Sequence, residues 1–262
     1  MQPTRPINKH LVVVGDVHGQ FNEFVHILRH ARMIDDKNNW CGGNNKLLQI
    51  GDVIDRGPCS VEVNDLLDTL QKQAVKQGGE VIRLVGNHEV EVILGNFSIS
   101  QLPVKQLKLF QTKFSSYVLT GQMKAAYAYK GFLITHAGVT RKLFSVLKSQ
   151  LKKPTAADLA ILLNFIFRES VAHRFYKHPI FNISTSRSGP SPYGGIFWED
   201  INDLIASYAT PSPIWQICGH TQVAYAAMDP YRHLIAVDVG MHRKLQYLEI
   251  PEKGEPKIVT IS

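Results

Sequence analysis

The sequence predicts an α/β fold in which two packed sheets carry helices on both outer faces. Two observations lead to this fold class. Early in the chain, short apolar runs alternate with segments of helical period, as in parallel strands linked by helices. From about residue 125 onward, short apolar runs follow one another across turn signals, which is typical of a more antiparallel region.

The first strands and helices are defined by their apolar periodicity. Short, mainly apolar runs predict buried strands at 11–14, 47–50 and 81–85. Apolar residues at helical spacing predict helices at 21–33 and 60–76. A glycine and polar residues follow each of these strands, so functional side chains are expected at the carboxyl ends of the strands.

The rest of the chain is predicted to contain long helices, short strands and one irregular loop. The helices cover 103–120 and 154–177, and Thr155 followed by Asp158 predicts a capping box at the start of the second. Serine, glycine and proline dominate 182–195, which predicts the loop. The strands are predicted at 125–129, 131–135, 215–218, 224–228, 234–237 and 246–250.

Length and composition favour one domain. The chain has 262 residues, of which 44% are hydrophobic and 19% charged, so one large core is expected over 1–262, with a helical insert at about 140–195. Three cysteines without metal-binding spacing argue against a disulfide scaffold or a zinc ribbon. Neither a signal peptide nor an apolar run of membrane-spanning length is recognisable, which predicts a cytoplasmic protein without a membrane partner.

The formal net charge of +7 favours anionic partners such as phosphate esters or acidic phosphoproteins. The basic residues are spread along the chain and are not gathered in a stripe with interleaved aromatic residues. Nucleic acid is therefore not the expected partner. The charge is better explained by a solvated surface together with a phosphate pocket.

Short polar motifs at strand ends carry the functional prediction. In chain order they are Gly-Asp-Val-His-Gly, Gly-Asp-Val-Ile-Asp-Arg-Gly, Gly-Asn-His-Glu, His-Ala-Gly and Gly-His-Thr. Each follows an apolar run of β type, so all are expected at the edge of a sheet where an open α/β fold binds its ligands. Together they supply the predicted metal ligands, which are Asp16, His18, Asp52, Asn87, His136 and His220.

This mixture of oxygen and nitrogen ligands suits two first-row transition metal ions. A carboxylate bridges two cations best, and Asp52 is the natural candidate. Asp16 and His18 would complete the first ion site from one loop, and the second would use Asn87, His136 and His220, the first of these also lying close to substrate phosphate. Two ions about 3.5–4 Å apart would hold a hydroxide that attacks phosphorus in line. Mn²⁺ is the expected metal, and Fe or Zn would also suit these ligands.

The motifs resemble those of the phosphoprotein phosphatase branch of the calcineurin-like metallophosphoesterases. Within that branch, 86–97 and the Ala-Val-Asp-Val-Gly segment at 236–240 are most similar to the Shewanella-like bacterial protein phosphatases. The resemblance implies a four-layer α/β/β/α sandwich of two mixed sheets. It also implies that His88 is the general acid held by Asp55, and that Arg56 grips the substrate phosphate.

One departure from the family concerns arginine. Many relatives carry an arginine directly before Gly-Asn-His-Glu, but this chain has Val85 there. Arg83, two residues earlier, is expected to point the same way as Val85 on a strand. A second phosphate-binding arginine is therefore missing or supplied from elsewhere, and Arg187 in the irregular loop is the candidate replacement.

The expected function is a metal-dependent phosphoprotein phosphatase that acts on phosphotyrosine, phosphoserine or phosphothreonine. Aromatic residues at 193–198 favour an aromatic phosphoester, whereas Gly19-Gln20 is common among relatives directed to serine and threonine. A dinucleoside-polyphosphate hydrolase of the diadenosine tetraphosphate type is the alternative on the same scaffold, and the Asp55-Arg56 pair speaks against it. A non-catalytic binder of anions or nucleic acid is a third hypothesis, and the complete ligand set opposes it. Oligomeric state and physiological substrate stay open.

Overall fold

Residues 10–261 are described by the computed structural model of the chain. Their helices are α1 (Phe21–His30), α2 (Ser60–Lys76), α3 (Asn87–Leu94), α4 (Val104–Thr120), α5 (Arg141–Lys148), α6 (Ala156–His173) and α7 (Ile201–Ser207). Their strands are β1 (His10–Val14), β2 (Lys46–Gln49), β3 (Glu80–Leu84), β4 (Met123–Lys124), β5 (Ala126–Tyr129), β6 (Phe132–Thr135), β7 (Trp215–Cys218), β8 (Ala227–Asp229), β9 (Leu234–Ala236), β10 (Gln246–Pro251) and β11 (Lys257–Thr260).

Within this range the strands form two mixed sheets, as the resemblance implied. The first sheet has the order β11-β10-β1-β2-β3-β4, and β1 to β4 run parallel while β10 and β11 are antiparallel. The second has the order β5-β6-β7-β9-β8, and β6, β7 and β9 run parallel between two antiparallel edge strands. Strands that carry predicted ligands are therefore parallel neighbours within each sheet.

The alternation of apolar side chains along the strands produces the four layers. On β1, Leu11 and Val13 face a core shared with Ile217 of β7 and Ile235 of β9, so the two sheets pack face to face. The intervening residues Val12 and Val14 of β1 belong to the core formed with the helices. Helices α1 and α2 cover the first sheet, and α6 and α7 cover the second. The predicted α/β/β/α sandwich is confirmed.

The late part of the chain differs from the sequence prediction. It was expected to be antiparallel, but β7 and β9 are parallel to each other, and β7 is parallel to β6. The short strand β8 lies beyond β9 at the edge, so the chain passes through the edge strand before it returns to the centre of the sheet. Sequence neighbours are therefore not sheet neighbours here, and turn signals alone do not reveal this order.

Several elements are shorter or additional. The long helix at 154–177 ends at His173 because Arg174 adopts a left-handed conformation, while its capping box of Thr155 and Asp158 is present as predicted. The loop at 182–195 is irregular apart from a short 3₁₀ turn, Thr185–Arg187. Helices α3, α5 and α7 were not predicted. The extent of the domain and of its helical insert stays a prediction.

None of the helices within residues 10–261 is both long enough and apolar enough to cross a membrane.

Candidate metal centre

The predicted ligands lie beyond the carboxyl ends of parallel strands. Asp16 and His18 follow β1, and Asp52 follows β2. Asn87 follows β3 and is the first residue of α3. From the second sheet, His136 follows β6 and His220 follows β7. Because the two sheets pack face to face, the ends of both sets of strands meet and the six side chains come together, each of them buried.

Close backbone approach makes this meeting possible. A Cβ on Gly86 would lie 2.2 Å from Oδ1 of Asp52, so only glycine fits beside that carboxylate. Non-glycine residues of the centre also occupy the left-handed region, where ordinary side chains are disfavoured. They are His18, Asp52, Asp55, Arg56 and His220, with φ between 45° and 70°. Strain of this kind is typical of functional sites, where the surrounding structure holds it in place.

Asp52 lies at the centre of the cluster. Its Oδ1 accepts a hydrogen bond from the backbone N–H of His88, at 3.0 Å. Its Oδ2 lies 3.4 Å from Nε2 of His18 and 3.6 Å from Nε2 of His136, and it accepts no hydrogen bond from residues 10–261. One carboxylate oxygen is therefore shared between two groups of imidazoles, as a bridging ligand requires.

The two groups are completed by oxygen ligands from the other strand ends. Oδ2 of Asp16 lies 4.0 Å from Nε2 of His18. Oδ1 of Asn87 lies 3.1 Å from Nε2 of His136 and 2.9 Å from Nδ1 of His220. The cluster therefore separates into one group around Asp16 and His18 and one around Asn87, with Asp52 common to both.

Backbone carbonyls fix the tautomers of two imidazoles. Nδ1 of His18 lies 3.0 Å from the carbonyl oxygen of Ile54, and Nδ1 of His136 lies 3.1 Å from that of Ile50. A ring nitrogen that faces a carbonyl must donate its hydrogen. Nε2 of each ring is then unprotonated and faces Asp52, which is the form in which imidazole binds a metal.

The electrostatic state of the cluster also fits metal binding. Burial lowers the pKa of His18 to about 4, and burial lowers the pKa values of His136 and His220, so these imidazoles are neutral at neutral pH. Burial acts to raise the pKa of Asp52, but the positive charges that His136, His88 and His18 carry when protonated hold it below its usual range. Neutral imidazoles around an ionised carboxylate are the ligand forms that a divalent cation needs.

Unsatisfied polar atoms point to the same conclusion. Oδ2 of Asp16, Nε2 of His18, Oδ2 of Asp52 and Nε2 of His220 are buried and have no hydrogen-bond partner among residues 10–261. Leaving such atoms unpaired destabilises a fold, so a cluster of them calls for a ligand. The residues present fit the pair of divalent cations that the sequence predicted.

His88 differs from the other histidines of the centre. Its Nδ1 lies 2.7 Å from Oδ2 of Asp55, and the other oxygen of Asp55 accepts hydrogen bonds from the hydroxyl of Ser100 and the backbone N–H of Gln101. Burial acts to lower the pKa of His88, but Asp52 and Asp55 raise it above its usual value. His88 is therefore the imidazole of the cluster that favours the protonated form. The role of Ser100 and Gln101 was not foreseen, because no motif connects them to Asp55.

Glu89 holds the backbone of the loops that carry the ligands. Its carboxylate accepts hydrogen bonds from the backbone N–H groups of Asp52, Val53, Ile54 and Gly86, at distances between 2.8 and 3.3 Å. These bonds tie the loop after β2 to the start of α3. Glu89 therefore supports the loops that carry the ligands.

The three arginines considered in the sequence, which are Arg56, Arg187 and Arg83, have different contacts. Arg56 is exposed, and its charge lowers the pKa values of Asp16, His18, His136 and His220, which places it over the cluster. No hydrogen bond or ion pair holds its guanidinium within the part of the chain that the structure describes.

Arg187 also lies close to the cluster. Its charge lowers the pKa of His220, and its Nη2 donates to the hydroxyl of Thr221 at 2.6 Å and to Oδ2 of Asp200 at 2.9 Å. Arg83 is directed elsewhere, into the core with the helices, as the strand period predicted.

Comparisons with known proteins identify the family of the chain. A family model described as calcineurin-like phosphoesterase matches residues 9–224. The chain is 37% identical over 103 residues to Shewanella-like protein phosphatase 1 of Plasmodium berghei, a match that covers 39% of this chain and 28% of that protein. It is 34% identical over 114 residues to Shewanella-like protein phosphatase 2 of Arabidopsis thaliana, covering 44% of this chain and 29% of that protein. The matches thus span less than a third of the length of these curated relatives.

Among solved structures, the fold is similar to that of the cold-active protein-tyrosine phosphatase of a psychrophilic Shewanella species. The superposition has a TM-score of 0.65 at 17% identity, and it covers 97% of this chain and 81% of that one. The resemblance to Shewanella-like phosphatases that the sequence predicted is confirmed. Since the family model spans most of its length, the chain belongs to the calcineurin-like phosphoesterase family.

Proposed function

We propose that the chain is a phosphoprotein phosphatase that hydrolyses phosphomonoesters with the help of two divalent metal ions. The observation that carries this proposal is the shared position of Asp52, whose Oδ2 lies 3.4 Å from His18 and 3.6 Å from His136, beside the paired His88 and Asp55. The similarity to Shewanella-like protein phosphatases supports a phosphoprotein substrate.

Two ions would be held by the two groups that meet at Asp52. Asp16, His18 and Asp52 would bind the first, and Asp52, Asn87, His136 and His220 the second. The family uses divalent metals, and Mn²⁺ is the ion that we expect, since carboxylate, amide and imidazole ligands suit it. When bound, the ions supply Lewis-acid activation of the attacking water and of the phosphoryl oxygens.

His88 would donate the proton to the leaving oxygen of the substrate. The hydrogen bond between Nδ1 and Asp55 leaves Nε2 facing the cluster, and Asp55 stabilises the imidazolium form. Ser100 and Gln101 fix Asp55 in turn, so the acid is held by a chain of contacts. His88, Asp52 and His18 also place ring or carboxylate atoms within 4.8 Å of one another. We assign His88 as the acid because its pKa is raised, whereas the imidazoles assigned as ligands have lowered values.

Arg56 would grip the substrate phosphate. Its guanidinium is exposed over the cluster and is not engaged by a carboxylate, so it is available for a paired interaction with two phosphate oxygens. Asn87 would share this contact through its amide group. Arg187 is the second phosphate-binding arginine in our proposal, and its use requires that the phosphate displace Asp200 from Nη2.

A hydrolase of dinucleoside polyphosphates remains the alternative on this scaffold. It would use the same cluster, and the geometry of the metal ligands does not separate the two reactions. The combination of Arg56 with the Asp55–His88 pair favours a phosphomonoester, because one arginine meets the terminal phosphate and the acid meets the single ester oxygen. The substrate itself must decide.

We expect turnover of phosphopeptides in the presence of Mn²⁺. Initial rates would be measured on matched phosphotyrosine and phosphoserine peptides and on diadenosine tetraphosphate, with the metal chelator as a blank. Cleavage of a peptide establishes the proposed function and gives its residue preference. Cleavage of the dinucleotide alone would transfer the function to nucleotide hydrolysis, and metal binding without any turnover would contradict both.

His88→Asn should slow the reaction by about 10²–10⁴-fold on phenyl phosphate, whose phenol leaves with a pKa of about 10. The loss should be much smaller on p-nitrophenyl phosphate, because a better leaving group needs less protonation. The acid must be protonated, so the wild-type rate should fall as pH rises through the pKa of His88. Asp52 and Asp55 both raise this pKa, so Asp55→Asn removes part of the effect and should move the fall to lower pH.

Equal losses on both phenyl esters in His88→Asn would contradict the assignment as general acid. Metal content measured on the same protein separates this outcome from loss of an ion. Ser98→Ala is a control from the loop that contacts Asp55, because Ser98 is exposed and its hydrogen bonds within residues 10–261 go to Asn96. Its pH profile should be that of the wild type.

A further inference from the structure

The Ala-Val-Asp-Val-Gly segment contains an acidic residue that the proposed mechanism does not use. Asp238 lies beyond the carboxyl end of β9, which is parallel to β7 with Cys218 opposite Ala236. Continuing that register by two residues places Asp238 level with His220. A Cβ on Gly15 would lie 2.6 Å from the carbonyl oxygen of Val237 and 3.2 Å from Cα of Asp238, so the loop after β1 is in direct contact with this strand end.

The Asp238 side chain is buried and only half satisfied. It is 1% exposed, and its Oδ1 accepts a hydrogen bond from the backbone N–H of Gly240, at 2.9 Å. Its Oδ2 is buried and has no hydrogen-bond partner among residues 10–261, and within that range no lysine, arginine or histidine nitrogen lies within 4.0 Å of the carboxylate. A buried carboxylate without a partner is strongly destabilising, so some cation or hydrogen donor is expected there.

Neighbouring carboxylates further destabilise the ionised form of Asp238. Asp16 is repelled by both Asp238 and Asp52, and Asp238 is repelled by Asp52. Asp16 and Asp52 carry unpaired buried oxygens of their own. Three buried carboxylates, each with one oxygen that has no hydrogen-bond partner within residues 10–261, therefore lie close enough to repel one another. Arg56 and Arg243 act on Asp238 from a distance without forming an ion pair.

The free space beside these groups is small. Asp16 and Asp238 line one cavity of about 10 Å³ together with Gly15 and Val237. A space of this size is at most enough for roughly one water molecule, so it does not receive a substrate group. We therefore consider an electrostatic interaction between Asp238 and the ion that Asp16 would hold.

We propose that Asp238 is an additional acidic residue of the metal centre, which strengthens binding of the ion held by Asp16 and His18. The proposal rests on the metal centre described above. The negative charge of Asp238 would offset the positive charge of the cation, and the hydrogen bond from Gly240 to Oδ1 fixes the carboxylate at the strand end. Asp238 is thus a positioning residue and takes no part in proton transfer.

The competing explanation is a purely structural turn. When Oδ1 of an aspartate accepts a hydrogen bond from the backbone N–H two residues later, the two residues form a common turn motif. Asparagine forms the same turn equally well. Asp238→Asn therefore keeps the turn and removes only the charge, whereas Asp238→Ala removes both. Glu199→Gln is a matched control, because Glu199 is also fully buried and accepts backbone N–H groups, from Gly194 and Asp200, but contacts none of the proposed ligands.

Calorimetric titration of the metal-free protein with MnCl₂ tests the proposal. We expect the wild type and Glu199→Gln to bind two ions with the same affinities. Asp238→Asn should bind one of the two about 10–100-fold more weakly, the range seen when groups that support metal ligands are removed. Thermal unfolding should show two further effects of Asp238→Asn. The unfolding midpoint of the metal-free protein should rise, because one of three repelling carboxylates is gone. The rise in midpoint that Mn²⁺ produces should be smaller than in the wild type.

Two ions bound by Asp238→Asn as tightly as by the wild type would overturn this proposal and leave the proposed function intact. A second pattern would also overturn it and support the structural turn. In that pattern Asp238→Asn keeps the wild-type Mn²⁺ affinity and stability, and Asp238→Ala loses the same stability with and without Mn²⁺. A wild type that binds no Mn²⁺ would overturn the proposed metal centre itself and this inference with it.

Discussion

Asp52→Asn should lower kcat/KM on a phosphopeptide by about a thousandfold or more. The two proposed ions would supply several kcal/mol of charge stabilisation, and each 1.36 kcal/mol corresponds to a factor of ten in rate. Asparagine keeps the acceptor that bonds the backbone N–H of His88, so the loop after β2 should keep its course. The amide that replaces Oδ2 carries no negative charge between His18 and His136, and both ions lose their common ligand.

The measurement combines kinetics with metal content by elemental analysis. We expect Asp52→Asn to hold fewer ions than the wild type at the same Mn²⁺ concentration, with an unchanged far-ultraviolet circular dichroism spectrum. Asp65→Asn, on an exposed position of α2, removes the same charge away from the centre and should be neutral. An Asp52→Asn enzyme that retains a tenth of wild-type activity with two ions bound would show that Asp52 is not the bridging ligand.

The positions of the predicted ligands followed from the sequence because each motif directly follows a strand. A buried apolar run ends at Val14, at Gln49 or at Leu84, and the next polar residues must then lie at the sheet edge. Parallel strands bring those edges together regardless of the distance along the chain. The fold class and the meeting of these polar side chains could therefore be predicted without knowledge of any contact.

Helix α3 could not be predicted for a related physical reason. Nearly all of its residues, Asn87 to Ile93, are buried, since one side carries the metal centre and the rest packs against the core. A helix that is buried all round has no alternation between polar and apolar faces, so its period is hidden.

Contacts between distant loops were the other part that the sequence did not reveal. Ser100 reaches Asp55, and Asp238 reaches the loop of Asp16, through the packing of elements that are far apart in the chain. Trp198 places its ring against His220, with centroids 5.8 Å apart, because the loop before α7 folds over β7. These residues carry no spacing signal, so only the folded structure connects them with the site.

The contacts of Arg83 show that it does not replace the arginine missing before Gly86. Its strand position faces the helices, and its guanidinium is fully buried there. Nη1 donates to Oδ1 of Asp68 at 2.5 Å, Nη2 donates to Oδ1 of Asn64 at 2.8 Å, and the ring of Tyr117 lies 5.5 Å from the guanidinium carbon. Val85, on the same face, is likewise part of the core with the helices. Arg83 therefore serves the packing of α2 and α4 and not the substrate.

Asp68→Ala should lower the free energy of unfolding by about 3–5 kcal/mol, because it leaves the buried guanidinium of Arg83 without its counter-ion. Arg83→Met should cost much less, about 1 kcal/mol. In that variant Asp68 is still paired with Nζ of Lys113 at 2.7 Å and still accepts from the hydroxyl of Tyr117 at 2.8 Å, and it is partly exposed. The asymmetry arises because the cation is buried on every side while the anion reaches solvent.

Urea unfolding at neutral pH measures both variants and their combination. The double variant Arg83→Met/Asp68→Ala should be more stable than Asp68→Ala alone, since the uncompensated charge is gone. Equal losses in the two single variants would instead mean that the pair acts only through its mutual attraction, with no cost of burying the lone cation. Metal content should be unchanged in all three proteins, because the network lies between the first sheet and its helices, on the opposite side of β3 from the second sheet.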